Sequence, residues 1–334
     1  MIRPLTLACL LPLPAFADVP RVMTDIAPVH SLTAQVMGDL GTPDLLLPPG
    51  SDPHDFALRP SDAAALGDAA LVIWVGDALT PWLEEPLETL AGSANRLTLM
   101  DVDGWEPLPF RTLEMIGAEK HDEHDDHDDH GHDDDHGHDD HAHDDHAKDE
   151  DHDDHHDHDH GDLDPHAWAD PAVATVWLAA IADELAGLDP ENAATYQANA
   201  ANAASEIMAM DETIAASLGG LTDRGYLLPH DGYHYFEARY GLTAAGAISS
   251  ANGETPGPAQ IATLREEFAE NGVVCVFSDT SVPDRWAAIV TEGTDSRTAQ
   301  IDAIGQDLTA GSTLYQDMMI RLANAFVTCL GGDK

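Results

Sequence analysis

Residues 189–218 read "DPENAATYQANAANAASEIMAMDETIAASL". Alanine, glutamine, glutamate and methionine, all strong helix formers, dominate the stretch. Asp189 stands where an N-cap belongs, Pro190 at the first helical position and Gly219 just past the end, so it reads as one uninterrupted helix. At 1.5 Å per residue such a helix extends roughly 40 Å, the length of a small domain. It is expected to be a rigid strut joining two bodies, the alternative being an ordinary helix packed within one of them.

Two sets of short β-rich runs flank it. Before it, between about Asp18 and Asp103, lie "RVMTDI", "DLLL", "ALVIWVG" and "RLTLMDV". After it, between about Tyr226 and Ile304, lie "GYLLP", "AAGAI", "GVVCVFSD" and "AQIDAIG". Amphipathic segments separate the runs, among them "RPSDAAALGD" with Ser61 as N-cap, and "PAQIATLREEFAENG" with Pro258 at its start and Gly272 at its end. Strand-helix alternation at this spacing predicts an α/β protein of two lobes, each a mainly parallel sheet flanked by helices, joined by the long helix. The expected divisions are residues 18–169 for the first lobe, including an insertion at 119–162, 170–218 for a helical region whose linking helix covers about 190–218, and 219–334 for the second lobe.

Residues 1–17, "MIRPLTLACLLPLPAFA", have a charged start, an apolar centre and an Ala-Phe-Ala end, the pattern of a secretory signal. The mature chain is then exported and begins near Asp18. No later stretch reads as the roughly 20 apolar residues of a membrane span. Export fits the cysteines. Without Cys9 two remain, Cys275 and Cys329, which in an oxidising compartment read as one disulfide, or else as two buried thiols.

The chain carries 62 acidic residues against 14 basic ones, a formal net charge of −48. Such a surface repels nucleic acid and anionic lipid and attracts cations. The charge is concentrated: His121–His160 holds 20 acids and one base, Lys148. The same segment holds 15 of the 20 histidines: His121, His124, His127, His130, His132, His136, His138, His141, His143, His146, His152, His155, His156, His158 and His160. With no aliphatic side chain larger than alanine it lacks the apolar area to offset the entropy of ordering, so disorder is expected. Imidazole suits zinc, copper and nickel, and a flexible chain can wrap two or three rings around one ion. Several exchangeable metal sites of modest affinity are the expectation; a solvated, pH-responsive linker is the alternative.

Five histidines lie elsewhere. His54, in "PPGSDPHDFALRPSD", follows a strand and a Pro/Gly turn. His166, in "DLDPHAWADP", lies between the acidic run and a helix. His230, in "YLLPHDGYHYF", follows a strand. These are positions where open α/β sheets place ligands, and together they make a candidate three-histidine metal site. His30 is assigned an ordinary surface or hydrogen-bonding role, and His234 that of a solvated helix residue, with an accessory contact to the site as the alternative.

The chain resembles the zinc-uptake periplasmic solute-binding proteins of ABC transporters, the cluster A-I metal-binding family. The resemblance is carried by "PHDFALRPSD", "PHAWADP", "HDGYHYFEARYGL" and the Cys275 and Cys329 surroundings "VVCVFSD" and "VTCLGG", in order along the whole mature chain and with the acidic-histidine insertion in place. It implies that His54, His166 and His230 hold Zn2+ in a cleft between lobes, with a carboxylate after the last strand, here Asp302, as fourth ligand. Asp279 or water are alternatives. Some zinc members have a Glu just before the first histidine, where this chain has Pro53. Zinc prefers four nitrogen- or sulfur-rich ligands, whereas manganese favours more carboxylates. Asp52 and Asp55 are candidate acceptors orienting His54. The resemblance further implies a periplasmic monomer that catalyses nothing and delivers zinc to an ABC permease.

Two other readings compete. A metal buffer without a transporter explains the acidic run but has no use for two lobes. A zinc hydrolase would use "HDGYH", yet that spacing needs both histidines inside a helix and a Glu base, where this chain has Asp231 after a strand.

Overall fold

The computed structural model describes residues 19–111, 163–249, 272–280 and 284–332. All eight β-rich runs form strands. β1 (Val22–Thr24), β2 (Asp44–Leu45), β3 (Leu71–Trp74) and β4 (Asn95–Thr98) pair in parallel in the order β2-β1-β3-β4. β5 (Gly225–Leu228), β6 (Gly246–Ala247), β7 (Val273–Ser278) and β8 (Arg297–Gln300) pair in parallel in the order β6-β5-β7-β8. One topology is thus used twice. The central strands are continuous apolar runs because helices cover both faces of a parallel sheet: β3 is "LVIW", buried throughout. The strand order reverses between β1 and β3 and again between β5 and β7, which opens a crevice beyond the carboxyl ends of each sheet.

The described helices are α1 (Ala27–Met37), α2 (Pro60–Gly67), α3 (Glu84–Thr89), α4 (Pro171–Leu188), α5 (Ala193–Leu218), α6 (His234–Tyr240), α7 (Asp284–Thr291) and α8 (Leu314–Gly331). α5 is the linking helix, about 39 Å long for its 26 residues. It packs on α4, on α1 of the first lobe and on α8 of the second. One apolar core runs from Val22 and Leu71 through Trp177 and Ile207 to Phe277 and Phe326, so the helix belongs to both lobes. Polar ties reinforce it: Asp211 of α5, buried, accepts from Arg239 Nε at 3.1 Å and Tyr240 Oη at 3.0 Å, both on α6.

Two expected helix starts shift. α5 begins at Ala193 after Asn192, because Asp189 is taken up as the C-cap of α4. Its carboxylate instead props the next turn, accepting from Asn192 Nδ2 at 2.7 Å and Tyr196 Oη at 2.9 Å. α2 is capped by Arg59, not Ser61: Pro60 takes the first helical position, and the Asp62 carboxylate accepts the Arg59 N–H at 3.0 Å. Both shifts reflect neighbouring residues able to do the same job.

α4 is long and apolar enough by length and composition to cross a membrane, with a mean hydropathy of 1.4 over 18 residues. Its Trp177, Leu178, Ile181 and Leu185 are buried in the core. The signal sequence (1–17), the insertion (119–162) and all but the last residue of the helix expected over 258–272 lie outside the described residues. Cys275 on β7 and Cys329 on α8 are disulfide-bonded, their Cα atoms 5.7 Å apart.

Candidate metal centre

Each candidate ligand sits where a strand or a lobe junction delivers it. His54 lies on the loop between β2 and α2, and His230 follows β5. Asp279 follows β7 and Asp302 follows β8, while His166 precedes a single turn of 3-10 helix, Ala167–Ala169, that leads into α4. All five line one cleft of about 590 Å3. His166 is the middle ring, its centroid 5.4 Å from that of His54 and 5.9 Å from that of His230.

The rings are unequally held. His166 Nδ1 pairs with Asp164 Oδ1 at 2.7 Å, and the same oxygen accepts the His166 backbone N–H at 3.0 Å. His230 Nδ1 lies 2.8 Å from Asp279 Oδ2, an oxygen that also accepts from Tyr233 Oη at 3.2 Å. Nδ1–H bound to carboxylate fixes the tautomer that keeps the lone pair on Nε2, as is usual for metal-binding histidines. Both Nε2 atoms face Gly232: a Cβ there would lie 2.3 Å from that of His230 and 3.2 Å from that of His166. His54 is held differently: among the described residues its hydrogen bond is through the backbone, whose N–H donates to Asp52 Oδ1 at 2.9 Å.

The same three residues, Asp-Pro-His, therefore present a histidine twice, at 52–54 and 164–166, each time with the Asp carboxylate on the His N–H. Sequence reasoning passed over this repeat and over Asp164, whose identity is camouflaged by the acidic run before it. Asp52 meets the backbone of His54 instead of its ring, and Asp55 lines the cleft. Asp302 also lines it, with Oδ1 accepting N–H from Ile304 at 3.0 Å and Gly305 at 2.8 Å and Oδ2 accepting from Gln306 at 2.6 Å. His234 opens α6, 3.7 Å from Asp164 Oδ2, and His30 is buried with Nε2 3.0 Å from the Pro43 carbonyl. Neither joins the three.

Imidazoles sharing a tetrahedral ion at about 2.0–2.1 Å have ring centroids roughly 5 Å apart. The observed separations are slightly wider, and among the described residues no group of three or more His, Cys, Asp or Glu is drawn tightly enough to hold a metal as it stands.

Electrostatics separate the rings further. Burial, then repulsion from His166, pushes His54 down to about 4. Burial also works against a charged His230, but the hydrogen bond and charge of Asp279, with Asp52 and Asp231 behind it, outweigh burial and raise it. A metal binds neutral imidazole. Were these rings to hold a metal, the proton on His230 is the one it would displace, while His54 carries none until the pH nears 4. Affinity should be flat above the raised value of His230 and fall as pH drops through it. Asp279→Asn removes the main cause of the rise and the orientation of the ring. It is expected to weaken zinc binding roughly 10- to 100-fold at pH 8 and to move the acid limb to lower pH, read by chelator competition between pH 5 and 8.

Comparison with known proteins bears on the cargo. The family described as zinc-uptake complex component A, periplasmic, matches residues 22–329. The high-affinity zinc uptake system protein ZnuA of Paracoccus denitrificans (strain Pd 1222) is 46% identical over the full length of both chains. ZnuA of Brucella abortus (strain 2308) is 38% identical, over 92% of this chain and 91% of its own. Among solved structures, a ZnuA crystal structure has a TM-score of 0.69 at 21% identity, covering 92% of this chain and all of that one. A deletion mutant of ZnuA with zinc bound has a TM-score of 0.69 at 20% identity, covering 95% and 100%.

Proposed function

Because the chain belongs to the family of periplasmic component A of zinc-uptake complexes, we propose that it takes up Zn2+ on His54, His166 and His230 in the cleft between its lobes. The observation that carries this is the presentation of His166 and His230 by Asp164 and Asp279, with His54 on the neighbouring loop. The chain is a solute-binding component and not an enzyme. Three neutral imidazoles suit zinc over manganese, and the acids around the cleft favour any cation. Asp302 is the proposed fourth ligand. Its oxygens already accept three N–H bonds, which makes water the competing occupant. Asp279 is occupied by His230 and Tyr233.

The filled protein, a monomer, then docks on an ABC permease, the membrane partner that a zinc-uptake complex requires. The His/Asp-rich run either collects zinc weakly and passes it inward or senses plentiful zinc and slows uptake. The described residues that flank it meet beside the cleft: Pro109 and Leu163 form an antiparallel bridge, and the Asp164 N–H donates to the Leu108 carbonyl at 2.9 Å. His160 is six residues from His166, so effective concentrations of order mM are expected between run and cleft. Deleting residues 122–161 tests the division of labour by calorimetric titration. A transport receptor keeps one tight zinc site and loses the weak ones; a buffer loses nearly all binding.

A further inference from the structure

His54 sits on a lightly tethered segment of the cleft. Its loop carries Pro48, Pro49, Gly50 at φ 82° and Pro53, and its own hydrogen bonds, Ser51 N–H to the Pro48 carbonyl and His54 N–H to Asp52, are internal. Among the described residues, one hydrogen bond joins residues 52–58 to the rest of the protein: the indole N–H of Trp82 donates to the Pro53 carbonyl at 2.7 Å. The same indole stands edge-on to Phe56, ring centroids 5.2 Å apart at 65°. Trp82 therefore grips the chain on both sides of His54, one residue before it and two after.

Trp82 is itself well founded. It lies in the single 3-10 turn Pro81–Leu83, next to buried Thr80 and Leu83, and packs against two apolar clusters of the core. Its turn borders the cleft through Pro81. His166 and His230 have carboxylates to aim their rings; His54 has no hydrogen bond to either ring nitrogen among the described residues. We propose that Trp82 is the positioning residue of His54, holding the loop that carries this ligand by the Pro53 carbonyl and the Phe56 ring, so that less chain must be ordered when zinc arrives. The inference rests on the zinc site proposed above.

A double-mutant cycle on the full mature chain tests it, with zinc affinity measured by chelator competition strong enough to leave only the tight site loaded. Trp82→Phe keeps an aromatic face to Phe56 and deletes the donor; it should raise the zinc Kd roughly fivefold, the worth of one neutral hydrogen bond. Trp82→Ala, losing the ring contact as well, should raise it roughly 30-fold. In a His54→Ala background both effects should shrink to within about twofold, since a group acting through His54 has nothing left to position. An unchanged melting temperature of metal-free Trp82→Phe separates this from general destabilisation. Equal losses in both backgrounds, or no loss in either, overturn the role of Trp82 while leaving the site intact. A His54→Ala variant that binds zinc as tightly as the wild type overturns the site reading itself.

Discussion

Replacing His166 by alanine is expected to raise the zinc Kd by at least about a thousandfold, more than 4 kcal/mol, the largest effect of any single change in the cleft. Outer partners of metal-bound histidines cost roughly 10- to 100-fold when removed, so a ligand must cost more. His166 is the ring within reach of both others, and its removal leaves His54 and His230 without a common neighbour. It also strands Asp164, a carboxylate 1% exposed that is held below its ordinary value, against burial, by the charge and hydrogen bonds of His166. Affinity alone does not suffice to read His166→Ala, because His166 is only 6% exposed and a buried carboxylate that loses its imidazole partner destabilises the fold. The clean comparison is His166→Gln, which keeps the packing volume, with circular dichroism to confirm folding and competition titration for affinity. Zinc binding within tenfold of the wild type in a folded variant would contradict a ligand role.

The second large effect concerns stability, not zinc. Cys275 on the central β7 and Cys329 near the end of α8 close a loop of 54 residues. Constraining that loop in the unfolded chain is worth about 4 kcal/mol in the chain-entropy account. Cys275→Ala with Cys329→Ala should therefore lower the melting temperature by roughly 10 °C. Both cysteines are buried, and although β7 also delivers Asp279, its pairing with β5 and β8 holds that end independently of the disulfide. Zinc affinity of the folded variant should stay within about threefold. Scanning calorimetry and titration on the same sample separate the two outcomes, and an unchanged melting temperature would contradict the stabilising role.

The lobes were legible in the sequence because their signals are dense. Runs such as Leu71–Trp74 and Val273–Ser278 are continuous, β-branched and apolar, a pattern that buried parallel strands require. The linking helix was legible for a similar reason, though its first residue was not: Asp189 and Asn192 both cap well, and only packing decides which helix each one serves. Of the centre, His54, His166 and His230 stood out because each follows a strand or a lobe junction, and the structure brings the three to one cleft. Their supports were hidden for different physical reasons. Asp164 closes an acidic run in which one more aspartate carries no contrast. Asp279 had the chemistry of a ligand and of an orienting group alike, and only its 2.8 Å contact with His230 Nδ1 distinguishes them. Trp82 meets Pro53 across 29 residues of chain, and no local pattern announces a contact of that kind.

The proposed function requires a single ion shared by residues of both lobes. The most direct measurement is a crystal structure of the zinc-loaded protein with data collected on either side of the zinc absorption edge. We expect one strong anomalous peak in the cleft, within about 2.0–2.1 Å of Nε2 of His54, His166 and His230. A peak ligated by fewer than three of these rings, or by none, would contradict it.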